Sequence, residues 1–157
     1  MKELYRERQW GWIILGTMVP MCVWMGFAYR YQWGNNPMPI LILLLVVFFG
    51  CIYVFAEMTT VVYEDRLVVS YGFGLLRFTF PLNELSLGEC RKIPWYAGAG
   101  IKCLNDGRLF SVGFTNAAQF RNRVTGKVVA IGTPNPERLI VVVNAAIERK
   151  TLLRRSL

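Results

Sequence analysis

The sequence predicts a membrane α-helical hairpin followed by an α+β domain: a small β-barrel or sandwich of seven or so antiparallel strands, capped by a C-terminal helix. Three observations carry that expectation. Two long uncharged apolar runs fill the first third of the chain, short strand-forming segments recur through the middle, and an amphipathic stretch closes it.

The apolar runs come first. Residues 9–29 and 31–56 contain no charged side chain. A helix needs roughly 20 apolar residues to cross a hydrocarbon core, so spans are expected over 10–29 and 38–56. Trp10, Trp12, Tyr29, Tyr31 and Trp33 stand at the ends of the first run, as interfacial aromatics do. Gly34-Asn35-Asn36-Pro37 is a turn signal that would fold the spans into an antiparallel pair. Pro20 falls inside the first run and would kink it. Gly11, Gly16, Gly26 and Gly50 are candidates for close helix packing. The alternative to a first span is a secretory leader, with Lys2, Arg6 and Arg8 as its basic start and Gly26-Phe27-Ala28 as a cleavage site.

Charge sets the expected orientation. Residues 1–9 read as a basic leader with Lys2, Arg6 and Arg8, while the loop between the runs carries only Arg30. The excess of Lys and Arg on cytoplasmic segments then places both termini in the cytoplasm of a multi-pass inner-membrane protein. The net charge of +8 is spread along the chain rather than gathered in a stripe. That distribution argues against nucleic acid and for a lipid bilayer with anionic headgroups as a partner.

From residue 57 the pattern changes to a domain expected over 57–157. Met58–Tyr63 and Leu67–Tyr71 are rich in strand formers and flank Glu64-Asp65-Arg66. Gly72-Phe73-Gly74 turns the chain into Leu75–Phe80, and Leu87–Arg91 follows. Ile101–Leu104 and Leu109–Val112 flank Asn105-Asp106-Gly107, a hairpin signal. Ala118–Arg123 and Lys127–Ile131 make a last pair around Thr125-Gly126. The final helix is expected over about 136–150, with Asn135 as N-cap, Pro136 at its first position and Glu137 on the positive end of the dipole. Leu139, Ile140, Val143, Ala146 and Ile147 form its apolar face.

Several chemistries are excluded. The chain has no histidine, which removes the common zinc sets and every Ser-His or Cys-His pair. Its four cysteines form no CxxC: Cys22 and Cys51 lie in the apolar runs, and Cys90 and Cys103 are expected as reduced thiols. No catalytic, cofactor-binding or metal-binding residue is expected, and the chain reads as a non-enzyme.

Ser70–Arg77, Pro94–Gly100, Asp106–Leu109 and Ile131–Leu139 occur in an order that resembles the bacterial pleckstrin-homology-like domains found behind two membrane spans. The resemblance implies fold and placement, and little about activity. Phosphoinositide-binding members carry Lys and Arg in the first hairpin, where this chain has Glu64-Asp65-Arg66, so inositol-phosphate recognition is not implied.

The expected role is a membrane-anchored scaffold or accessory subunit. Its β domain would mediate protein–protein contacts, by self-association or within a larger membrane complex. The alternative is a sensor of anionic lipid at the inner leaflet. In either case the turns expected nearest the membrane supply a rim of Phe73, Arg91, Lys92, Trp95, Tyr96 and Phe114, facing lipid or partner, the alternative being that its aromatic side chains pack in the core.

Overall fold

The computed structural model describes residues 3–31, 38–94, 99–104, 106–113 and 116–155. Among these residues, nine strands form two sheets. The first is an antiparallel meander of β1 (Glu3–Trp10), β2 (Glu57–Tyr63), β3 (Arg66–Tyr71) and β4 (Leu76–Pro81). The second has the order β5-β8-β9-β7-β6, from β5 (Glu89–Lys92), β6 (Ala99–Leu104), β7 (Gly107–Val112), β8 (Asn116–Arg121) and β9 (Val128–Gly132). Helices α1 (Trp12–Arg30) and α2 (Met38–Phe55) lie between β1 and β2, and α3 (Pro136–Arg155) follows β9.

The expected fold class needs correction on two counts. Helices do occupy the apolar runs, but among the described residues none is long and apolar enough to cross a membrane. The ends of the runs are drawn into other structure: Gln9 and Trp10 pair with Met58 and Glu57 in the β1–β2 ladder, and Ala56 lies beyond the last turn of α2. What remains is 19 and 18 residues, about 28 and 27 Å at the α-helical rise, against a core of about 30 Å. The expected membrane hairpin, the multi-pass inner-membrane location and the cytoplasmic placement of both termini are therefore corrected. Secondly, the β part has nine strands among the described residues rather than about seven, and it is not wholly antiparallel. β9 lies between β8 and β7, antiparallel to the first and parallel to the second.

The core lies between the sheets, where β-strand alternation sends one set of side chains inward. Met58, Val62, Leu67, Val69 and Tyr71 from the first sheet meet Phe110, Val112, Ala118, Phe120, Val129 and Ile131 from the second. Phe110 sits against Phe78 and Phe80, at ring-centroid separations of 5.0 and 5.7 Å. α3 closes the sandwich with Leu139, Val143, Ala146 and Ile147, the helical stripe read from sequence. Gly107 permits the parallel β7–β9 contact, because a Cβ there would stand 1.8 Å from the Val128 carbonyl oxygen.

β1 is unusual in facing the core with polar groups. Tyr5, Glu7 and Gln9 are its inward positions, paired with Val62, Thr60 and Met58. Glu7 accepts hydrogen bonds from Tyr5 and Thr133. Both side-chain polar atoms of Gln9, and the Thr60 hydroxyl, are buried without a hydrogen-bond partner among the described residues.

α1 and α2 run antiparallel beside one end of this sandwich. The Gly11 amide donates to the Ala56 carbonyl at 2.7 Å, so α1 begins where α2 ends. Phe55 at the foot of α2 packs edge-on against the buried Tyr71, with 5.9 Å between centroids. Gly72 lies so close to α2 that a Cβ there would be 2.9 Å from the Val54 carbonyl oxygen, and its φ is +56°.

Candidate functional site

Two surfaces stand out, and both begin at the junction of α2 with the first sheet. One is a groove on the outer face of that sheet; the other is the apolar surface of α1 and α2.

The groove follows from strand register. Arg8 pairs with Thr59, Thr59 with Ser70, and Ser70 with Arg77, so these four side chains form one row across β1 to β4. The next row is Arg6, Val61, Val68 and Thr79. The groove encloses about 640 Å³ and is lined by four arginines, Arg6, Arg8, Arg66 and Arg77, against one carboxylate, Glu57. Val61 and Val68 are buried although they face outward, because long arginine stems lie over apolar floors.

The arginines are not equivalent. Arg8 Nη2 donates to Glu57 Oε2 at 2.7 Å, and its guanidinium also lies over the rings of Trp10 and Phe73, at 5.2 and 5.8 Å. Arg66 donates to its neighbour Asp65, and that hydrogen bond holds the Asp65 carboxyl below the usual range. Arg6 reaches Glu3 only at 3.9 Å. Arg77 makes no ion pair or hydrogen bond among the described residues. Its Nη2 lies 3.9 Å from where a Cβ on Gly74 would stand.

The groove ends at Phe73. This residue holds a left-handed backbone, φ +55°, which a bulky side chain adopts at a cost of about 1–2 kcal/mol. It is also 65 % exposed, so core packing does not compensate the strain. The ring instead stands between Tyr53 of α2, at 5.9 Å, and the Arg8 guanidinium.

Phe73 was expected in a rim with Arg91, Lys92, Trp95, Tyr96 and Phe114. Arg91 and Lys92 are exposed on β5, an edge strand of the other sheet. Arg91 there contacts Asp106 at 3.4 Å and Gln119 at 3.1 Å. No hydrogen bond, ion pair or ring contact joins Phe73 to Arg91 or Lys92 among the described residues. Trp95, Tyr96 and Phe114 lie outside the described residues. With no described helix able to cross a membrane, the placement of this rim against an inner leaflet loses its geometric basis.

The glycines expected to pack helices divide as well. Gly11 is in close contact, but at the β1–α1 junction, where a Cβ would meet the Phe55 carbonyl oxygen at 3.0 Å. Gly16, Gly26 and Gly50 face open space. Around them α1 and α2 expose Trp12, Val23, Phe27, Leu43, Val46 and Phe49.

The chemistry of the remainder is modest. Among the described residues no three His, Cys, Asp or Glu side chains are grouped as a metal would need. The cysteines Cys22, Cys51, Cys90 and Cys103 are free. Tyr5 and Tyr71 are held protonated above the ordinary tyrosine range, chiefly by burial, with the Glu7 hydrogen bond adding to the effect at Tyr5. Sequence reasoning missed the groove because its four arginines are spread over β1, β3 and β4 and share a face only once the register is known. No protein-family model, curated protein or solved structure matches this chain.

Proposed function

We propose that the chain is a non-catalytic contact protein that associates with a second copy of itself through α1 and α2. The observation that carries this reading is the breadth of apolar surface on the pair, where Leu43, Val46 and Phe49 are each more than 60 % exposed. A side chain of this kind gains about 1.5–3 kcal/mol when removed from water, so a surface of this extent favours association. A second helix pair is a fitting occupant. It has the same two lengths and no charge between residues 12 and 29 or 38 and 55, and two-fold pairing would complete a four-helix bundle. The open space at Gly16, Gly26 and Gly50 leaves room for a partner helix to approach closely. The histidine-free composition supports the non-catalytic part of the reading.

Native mass spectrometry and light scattering of the full chain test it. The expected result is a dimer or higher oligomer, reduced to monomer by Val46→Asp with Phe49→Asp while the strand signal in circular dichroism is kept. A monomer in buffer, or a monomer taken up by phosphatidylcholine vesicles, would overturn self-association. Stoichiometric company of a different chain would replace it with an accessory-subunit role.

A further inference from the structure

We propose that the groove on the outer face of the first sheet is a binding site for a phosphate-bearing anion, with Arg77 as its principal free cation and Arg8 held ready by Glu57. This inference rests on the sheet and is independent of any association through the helices.

Three features of the groove agree. The first is charge: four arginines face one lining carboxylate. Arginine offers a planar fork of donors that matches phosphate oxygens, and it stays charged at all working pH values. The second is the polar floor. Thr59 and Ser70 lie in register between Arg8 and Arg77 with their hydroxyl protons given to Glu57 and the Thr59 carbonyl, while Thr79 in the neighbouring row has its hydroxyl uncommitted among the described residues. Four adjacent strands put the backbones of Arg8 and Arg77 about 14 Å apart. That span accepts a small ligand over a polar floor with a guanidinium on each side, and a volume of about 640 Å³ lies within the usual range for small-molecule sites.

The third feature is Phe73. Its turn brings two cations to one place, with the Arg8 guanidinium 5.8 Å from its ring and Arg77 Nη2 beside Gly74. A strained, exposed aromatic residue contributes little to folding at that position. Its location fits a wall that an apolar part of the ligand packs against, with the anionic part reaching into the arginine row.

Glu57 has a defined part in this arrangement. It is 5 % exposed, it binds Arg8, and it accepts from the Thr59 hydroxyl at 3.2 Å. It fixes Arg8 in the row through Nε and Nη2, while the Arg8 side chain stays half exposed. Arg77 carries no such partner, so its charge is the one a ligand neutralises most directly.

The test uses the full chain in buffer at fixed ionic strength, with pyrophosphate as the probe in a calorimetric titration. Wild type is expected to bind, and Arg77→Gln to weaken binding by about tenfold or more, the usual loss for a charge-assisted hydrogen bond. Arg77→Lys should restore part of it, and Arg123→Gln, at an exposed turn away from the groove, should leave it within about twofold. Melting temperatures of the variants confirm that each is folded. A second arm uses phosphatidylcholine vesicles with and without phosphatidic acid. Dependence on Arg77 in the pyrophosphate arm assigns a soluble anion. Dependence only on phosphatidic acid assigns a lipid headgroup. Dependence in neither arm, or an equal loss in Arg123→Gln, overturns the site.

Discussion

Thr133 donates its hydroxyl to the Glu7 carboxylate at 2.9 Å, tying the first strand to the segment that begins the last helix across 126 positions of sequence. The same oxygen accepts from the Asn135 amide at 3.1 Å, so one fully buried hydroxyl serves a carboxylate and the start of α3 together.

Replacing Thr133 by Val keeps the shape and removes both hydrogen bonds, leaving a buried acceptor and a helix-start donor underserved. The expected cost is about 1–3 kcal/mol in urea unfolding, with Thr133→Ser losing less than about 1. Equal stability of the Val variant would show that the Tyr5 hydroxyl alone suffices for Glu7.

The buried Tyr71 and the half-buried Tyr5 predict an alkaline weakness. Tyr5 and Tyr71 have folded pKa values raised above the unfolded value of about 10. A raised value contributes stability that is complete below the unfolded pKa and is lost as pH climbs from about 10 through the folded values. Unfolding free energy should therefore fall from about pH 10 upward, and the Tyr5→Phe, Tyr71→Phe double variant should flatten that fall. In a tyrosinate absorbance titration, at least two of the seven tyrosines should appear only with unfolding. A single transition near pH 10 for all seven would contradict the structure.

At Phe73 opposing effects nearly cancel. Glycine relieves about 1–2 kcal/mol of left-handed strain. It also removes a ring contact to Tyr53 and one to Arg8, worth roughly 0.5–1.5 and 0.5–1 kcal/mol. Phe73→Gly should unfold within about 1 kcal/mol of wild type, although a whole aromatic side chain is lost. Destabilisation beyond about 2 kcal/mol would make the ring a structural support rather than a wall of the groove.

Much of the β domain was legible because its strands alternate or run apolar between turn residues. β2, β3, β4, β6 and β7 lie within a few residues of the segments read from Met58–Tyr63, Leu67–Tyr71, Leu75–Phe80, Ile101–Leu104 and Leu109–Val112. α3 was legible from Pro136, Glu137 and its apolar stripe, though it runs on to Arg155. β1 was hidden for a physical reason. Its inward positions include Glu7 and Gln9 and its outward positions include Arg6 and Arg8, so no alternation of polarity marks it, and it passed for a basic leader. The parallel β7–β9 pairing was hidden because local patterning carries no information on which distant edge a strand will meet.

The apolar runs misled in another way. Absence of charge is also what a helix pair needs to bury its surface against another helix pair, and hydropathy does not separate the two uses. The ends decide, and here Gln9, Trp10 and Glu57 are claimed by the β1–β2 ladder.

That ladder closes on the pair Trp10 and Glu57, with the Gly11 amide reaching Ala56 just beyond it. Topologically, α1 and α2 are an elaborated hairpin loop, inserted where a two-residue turn would serve. The strand order of the sandwich is thus complete without the helices, which meet it through Phe55 on Tyr71 and through Gly72 against Val54. A miniature chain joining Trp10 to Glu57 through Asn-Gly would keep both sheets and the arginine row. It would also let the proposed association and the proposed anion site be tested in separate molecules.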